Sequence, residues 1–220
     1  MIEAVLFDLD GTLIDTAPDM GGALINLMRE EGLEPLSLDA IRPHVSRGGL
    51  VLTRMGFAGK VPEAEIEPLR QRFLQHYRAI VAEQSRLFDG YEAILGELEA
   101  RSMPWGIVTN KPEWLTLPLL EQLDLAQRVS VVIGGDTLEH RKPHPMPLTV
   151  AAERLQVDCS RCVYVGDDER DIVAGKAAGM KTLVATYGYI EPGTRTDAWG
   201  ADGFIERPAD LMQHPLLVNR

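Results

Sequence analysis

Short β-branched apolar runs alternate along this chain with segments whose apolar residues recur at three- and four-residue intervals. An apolar run that stops at a small or acidic residue is the pattern of a buried strand entering a loop, whereas the three-and-four spacing marks a helix with one face in the core. Five runs read as strands: Ala4 to Phe7, Gly106 to Val108, Val129 to Ile133, Val163 to Val165 and Thr182 to Ala185. Helical patterns separate them, such as Tyr91, Ile94, Leu95 and Leu98, or Leu148, Ala151, Ala152 and Leu155. The alternation predicts an α/β fold, a doubly wound parallel sheet with helices over both faces.

The spacing is uneven. About a hundred residues separate the first strand from the second, where one crossover helix would suffice, so something is inserted there. Residues 16–86 carry helical periodicity throughout, with Met20, Ala23, Leu24, Leu27 and Met28 early and Ile66, Leu69, Phe73, Tyr77 and Ile80 late. They predict a small all-helical cap, with residues 1–15 and 87–220 forming the core. Pro18, Pro35, Pro62 and Pro68 are expected at helix starts and loops within the cap.

Composition narrows the function. Twenty-two basic against 33 acidic residues give a net charge of −11, which excludes a binder of the nucleic-acid backbone or of an anionic membrane. No apolar run reaches about 18 residues, and Asp8 and Asp10 interrupt the first one, so the chain is expected to be cytoplasmic. Cys159 and Cys162 form a lone Cys-x-x-Cys with no second pair at zinc-ligand spacing, and read as reduced thiols.

Ligands of an open parallel sheet gather beyond the carboxyl ends of its strands. Those ends are polar here: Asp8-Leu9-Asp10-Gly11-Thr12, Thr109-Asn110, Gly134-Gly135-Asp136, and Gly166-Asp167-Asp168 with Asp171 following, while Lys142 lies in the loop after the third strand. Asp-x-Asp alone is uninformative in a chain with fifteen Asp. Requiring Gly and Thr after it reduces chance matches to roughly 1 in 100. Carboxylates crowded at one sheet edge need a positive partner, and hard oxygen ligands select Mg2+, which leaves room for a substrate phosphate. Phosphoryl transfer then assigns roles. Asp8 is the carboxylate nucleophile and Asp10 the acid and base; Thr109, Asn110 and Lys142 hold the transferring group, and Gly11 and Thr12 bring backbone N–H groups to it.

These four motifs, in this order, resemble those of the haloacid dehalogenase superfamily of phosphatases. The resemblance implies a Rossmann-like core, a Mg2+ ion held by the Asp8 carboxylate, the Asp10 backbone carbonyl and Asp167, and support from Asp168 or Asp171. Within the superfamily the chain is similar to the phosphoglycolate phosphatase group, and most similar to bacterial phosphatases of N-acetylmuramic acid 6-phosphate. The segments that carry this are Val45-Ser46-Arg47-Gly48-Gly49, Leu87-Phe88-Asp89-Gly90, Trp105 to Pro112, Tyr187-Gly188-Tyr189-Ile190 and Trp199-Gly200-Ala201-Asp202. They imply a small phosphorylated metabolite as substrate: N-acetylmuramic acid 6-phosphate in peptidoglycan recycling, with 2-phosphoglycolate, a sugar phosphomutase or a non-catalytic phospho-ligand module as alternatives.

Arg47 is expected to face the site and pair with a substrate carboxylate. Asp168 and Asp171 also fit the cap and first turn of the helix through Ile172, Val173 and Ala177. Asp136 reads as a turn residue, Trp105 and Trp114 as packing, and Tyr187 to Trp199 either as a cleft edge or as a connection.

Overall fold

The computed structural model describes residues 1–218. In chain order its elements are β1 (Ala4–Phe7), β2 (Ile14–Asp15), α1 (Ala17–Glu30), α2 (Leu38–Ile41), α3 (Gly49–Phe57), α4 (Glu63–Ala79) and β3 (Arg86–Leu87). Then come α5 (Tyr91–Ala100), β4 (Trp105–Val108), α6 (Glu113–Gln122), β5 (Val131–Ile133), α7 (Met146–Leu155) and β6 (Cys162–Gly166). The chain closes with α8 (Glu169–Ala177), β7 (Lys181–Ala185), β8 (Gly203–Ile205) and α9 (Pro215–Val218).

Six strands form one parallel sheet in the order β5-β4-β1-β6-β7-β8. The order reverses at β1, and the crevice beyond that switch point is where a doubly wound sheet binds its ligand. Alternate side chains of each strand serve opposite faces. Val5, Phe7, Ile107, Val163 and Val165 join the larger core, with α5, α6 and the helices of the inserted segment; Ala4, Leu6, Val108, Ile133 and Tyr164 join the smaller one, with α7. Trp105 is buried, whereas Trp114 is exposed on α6 beneath the Arg78 guanidinium.

The five expected strands are present, with boundaries moved by one or two residues. Val129 and Ser130 precede β5 rather than belonging to it. β8 extends the sheet beyond β7, and β2 pairs antiparallel with β3 where the chain leaves and re-enters the core. Between those two short strands the apolar stripes of α1 and α4 pack together, with Leu52 and Phe57 of α3 in the same core. The return is pinned by Asp19, a buried carboxylate that accepts from the Gln84 and Ser85 amides and the Ser85 hydroxyl at 2.6–3.1 Å. Pro68 departs from the expectation, since it sits inside α4, within its first two turns. Cys159 and Cys162 are free thiols, and Cys162 opens β6. Among the described residues no helix is long and apolar enough to cross a membrane.

Candidate active site

Asp8 follows β1, and its amide still bonds the Val165 carbonyl at 2.8 Å, so sheet pairing fixes the backbone at the switch point. Asp8 Oδ1 accepts from the Leu9 amide at 2.7 Å and lies 2.9 Å from Lys142 Nζ. Lys142 spends its other donors on Asp171 Oδ1 and the Tyr164 hydroxyl, both at 2.7 Å, and that hydroxyl in turn donates to the Val108 carbonyl. A loop lysine is ordinarily exposed; this one is 3% exposed. Burial works against its charge, and Asp171 and Asp8 outweigh it, so the ammonium is held above its ordinary range.

Past Asp8 the chain turns through Gly11 at φ +85°, a conformation that favours glycine. A Cβ there would stand 2.2 Å from Asp167 Oδ2, so close packing of loop on carboxylate also requires it. The Asp10 carboxylate is held by two donors: Oδ1 accepts from Thr16 at 2.7 Å, and Lys111 Nζ bonds Oδ1 at 3.0 Å and Oδ2 at 3.2 Å. Lys111, buried between Asp10 and the Tyr77 ring of α4, is the principal residue that the motifs did not single out. Burial opposes its charge, and Asp10 and Tyr77 outweigh that cost.

Asp167 follows β6 and, among the described residues, is met only by neutral donors, Thr12 Oγ1 at 3.0 Å on Oδ1 and Ser46 Oγ and the Tyr189 amide, each at 2.8 Å, on Oδ2. Burial, with Asp8 and Asp171 adding repulsion, pushes its carboxyl well above the usual range. Asp168 and Asp171 form a capping box at the start of α8, and the helix phase separates them. Asp168 turns out to pair with Arg170 at 2.8 Å, whereas Asp171 turns inward. Burial and Asp8 raise Asp171 to about 6 against the pull of Lys142.

Asp8, Asp167 and Asp171 each bring a carboxylate oxygen within 4.8 Å of the other two. Three buried oxygen donors served by one lysine fit a hard divalent cation.

Asp167 lines a small cavity, and a larger neighbouring one of about 440 Å³ opens over Asp8 and Asp171. Asp8, Asp10, Thr109, Asn110 and Lys142 line its floor, and Leu50, Val51, Arg70, Leu74 and Tyr77 its far side. The Thr109 hydroxyl accepts from the Lys111 amide at 3.2 Å. Asn110 donates to the Lys142 carbonyl at 2.9 Å, and its buried Oδ1 has no partner among the described residues. Arg47 lines the cavity while pairing with Glu191 at 2.9 Å. Asp136 accepts from the Glu113 amide and starts α6, and the His140 and His144 rings stack on each other. Tyr187 and Tyr189 bond Thr12 and Asp15, so their segment clamps the exit from β1.

A parallel sheet whose switch point gathers two aspartates, a threonine and a buried lysine under a helical insertion defines a class, and residues 5–185 match it: the chain belongs to the haloacid dehalogenase-like hydrolase family. The chain is a phosphatase of that family. It is 48% identical over 210 residues to a phosphoglycolate phosphatase of Xanthomonas campestris pv. campestris (strain 8004), covering 96% of this chain and 95% of the relative. It is 39% identical over 211 residues to an N-acetylmuramic acid 6-phosphate phosphatase of Pseudomonas aeruginosa, with 96% and 93% covered. A crystal structure of a predicted phosphoglycolate phosphatase from Haemophilus somnus superposes with a TM-score of 0.86 at 25% identity, over 96% of this chain and 97% of the other.

Proposed function

We propose that the chain is a Mg2+-dependent phosphomonoesterase that works through an aspartyl-phosphate, and that its substrate is N-acetylmuramic acid 6-phosphate. One observation carries the reaction: the Asp8 carboxylate lies 2.9 Å from a buried lysine at the floor of a cavity that Asp10 and Thr109 also line.

Asp8 attacks phosphorus, the bond from phosphorus to the departing sugar oxygen breaks, and Asp10 delivers the proton that oxygen needs. Asp10 reaches it by turning from Thr16 and Lys111 toward the cavity. In the second half Asp10 takes a proton from water, the water oxygen attacks phosphorus, and the phosphorus bond to Asp8 breaks to release inorganic phosphate. The Thr109 hydroxyl and the remaining Asn110 amide hydrogen donate to equatorial oxygens, and Lys142, freed from Asp8 as that carboxylate bonds phosphorus, donates to a third. The Asp8 carboxylate, the Asp10 carbonyl and Asp167 would hold Mg2+, with Asp171 behind them. Bound there, the ion supplies Lewis-acid polarisation of the phosphoryl group. The helices of residues 16–86 act as the cap that closes over the substrate and excludes stray water.

The cavity supports the larger substrate. At about 440 Å³, with Leu50, Val51, Leu74 and Leu115 on its walls, it offers room and apolar surface for a pyranose carrying N-acetyl and lactyl groups. Phosphoglycolate, with two carbons, would fill a fraction of it; the names of the relatives at 48% identity favour that second reading. Both substrates carry a carboxylate, for which Arg47 is the partner at the rim.

The test is phosphate release with Mg2+ from N-acetylmuramic acid 6-phosphate, 2-phosphoglycolate and glucose 6-phosphate, compared as kcat/KM. The muramic acid ester is expected to lead. A lead for phosphoglycolate replaces the substrate, and release from none overturns the reaction.

A further inference from the structure

We propose that the Ser46 hydroxyl, delivered from the inserted segment, is itself a ligand of the divalent cation, so that cation binding and the seating of residues 42–47 on the core are linked. The inference rests on the cation site assigned above and adds to it a ligand from the other side of the cleft.

Ser46 Oγ lies 3.0 Å from the Asp10 backbone carbonyl oxygen and 2.8 Å from Asp167 Oδ2. A hydroxyl has one hydrogen and cannot serve both acceptors, and Asp167 Oδ2 already accepts from the Tyr189 amide at 2.8 Å. Three oxygens thus converge within hydrogen-bond distance around Ser46 Oγ, and a cation would satisfy all three through their lone pairs. The spacings agree with that. Adjacent ligands of an octahedral ion with bonds of about 2.0–2.1 Å stand about 2.8–3.0 Å apart, the two distances Ser46 makes. Mg2+ normally completes its shell with water, so a neutral hydroxyl in place of one water is chemically ordinary.

Ser46 is held there by contacts independent of any ion. Arg170 Nη2 donates to its carbonyl at 2.9 Å, Arg42 pairs with Asp15 at 2.9 Å, and His44 and Arg47 meet Glu191 at 3.0 and 2.9 Å. The short 3-10 turn Arg42–Arg47 is therefore presented to the core as a preformed unit, ending at Gly48 with φ 83°. Because Ser46 belongs to the insertion and its co-ligands to the core, linkage requires that the ion favour the seated turn and that the seated turn favour the ion.

The experiment titrates the substrate-free protein with Mg2+ by calorimetry and with Mn2+ by water-proton relaxation, comparing the parent chain with Ser46→Ala and Ser46→Thr. Ser46→Ala is expected to weaken both ions about 3- to 10-fold, a modest loss because water takes the vacated position. Ser46→Thr, which keeps the hydroxyl, should bind within about twofold of the parent. Mg2+ should also slow amide exchange over residues 42–47 in the parent and not in Ser46→Ala. Equal affinity in Ser46→Ala overturns the proposal; tighter binding overturns it too, and makes the hydroxyl a competitor for the ion's place. If the parent binds neither ion, the cation assignment itself fails, which separates that failure from loss of the Ser46 ligand alone.

Discussion

Replacing Lys111 with methionine isolates what its pairing with Asp10 contributes. The two chains have similar length, so packing against Tyr77 and Met20 is largely kept while the charge is lost. The Lys111 side chain is 3% exposed and that of Asp10 12%, so the pair lies inside the protein rather than at its surface. Breaking such a pair from one side leaves a buried charge without its partner and costs about 3–5 kcal/mol. Thr16 still donates to Asp10 at 2.7 Å and the cavity admits water to the carboxylate, which places this case at the lower end, about 3 kcal/mol. By contrast, removing Arg101, whose partner Glu97 lies one turn away on an exposed helix face, should cost about 0.3–0.5 kcal/mol. The sign should reverse in an Asp10→Asn background, because there the lysine is the stranded charge and its removal costs nothing or stabilises. The assay is urea unfolding of the four proteins of this cycle, with Arg101→Met as a surface control, in chelator and followed by fluorescence of the buried Trp105. An equal cost for Lys111→Met in both backgrounds would refute the reasoning, since it would mean that shape and not charge holds Lys111 in place.

Asp10→Asn should impair turnover of a sugar phosphate more than that of an aryl phosphate, because a good leaving group needs less protonation; kcat/KM on the two esters measures this, and equal losses remove Asp10 as general acid. The thiols give a pH prediction. Burial pushes Cys162 up to about 12 and raises Cys159, so at pH 8.5 the folded protein should react with iodoacetamide far more slowly than the urea-unfolded chain. The sign for stability follows. A pKa raised in the folded state favours the neutral thiol, so this contribution is complete below the unfolded value of about 8.5 and is lost as pH climbs toward 12. Denaturation midpoints measured from pH 7 to 10.5 should therefore fall.

The sheet was legible because its central strands are apolar on both faces, which only a covered parallel sheet requires. β8 escaped for the opposite reason: Gly203, Phe204 and Ile205 make a three-residue edge strand with Phe204 exposed. β2 and β3 are two residues each, too short for any period, and owe their pairing to the geometry of the exit from β1. Of the site, the residues that end strands were readable, since topology alone sends strand ends to one edge. Lys111 was not, because a lysine between Asn110 and Pro112 looks like any exposed loop cation until Tyr77 of α4 folds over it. Asp168 and Asp171 could not be separated by pattern, since a capping box uses both, and only the turn of α8 sends one outward to Arg170 and the other inward to Lys142.

The distribution of cations over these carboxylates leads to a last prediction. Among the described residues Lys142 serves Asp8 and Asp171, Lys111 serves Asp10, and Arg170 serves Asp168, whereas Asp167 receives hydroxyl and amide donors alone. A buried carboxyl without a counter-charge subtracts from stability, and such strain persists where function needs it. Asp167→Asn keeps the shape and gives up the charge: the amide oxygen can take the Ser46 and Tyr189 donors, and the Thr12 hydroxyl can turn to accept from the amide nitrogen. In chelator the variant should therefore be more stable than the parent, by about 1 kcal/mol or about 2–4 °C in Tm for a chain of this length. In Mg2+ the ranking should invert, since the parent gains stability in proportion to the logarithm of ion concentration over Kd while the variant has lost a ligand. Tm measured in chelator and across a Mg2+ series decides it. A variant less stable in chelator would show that Asp167 is a structural acceptor first, and an equal gain of both proteins with Mg2+ would move the ion away from Asp167.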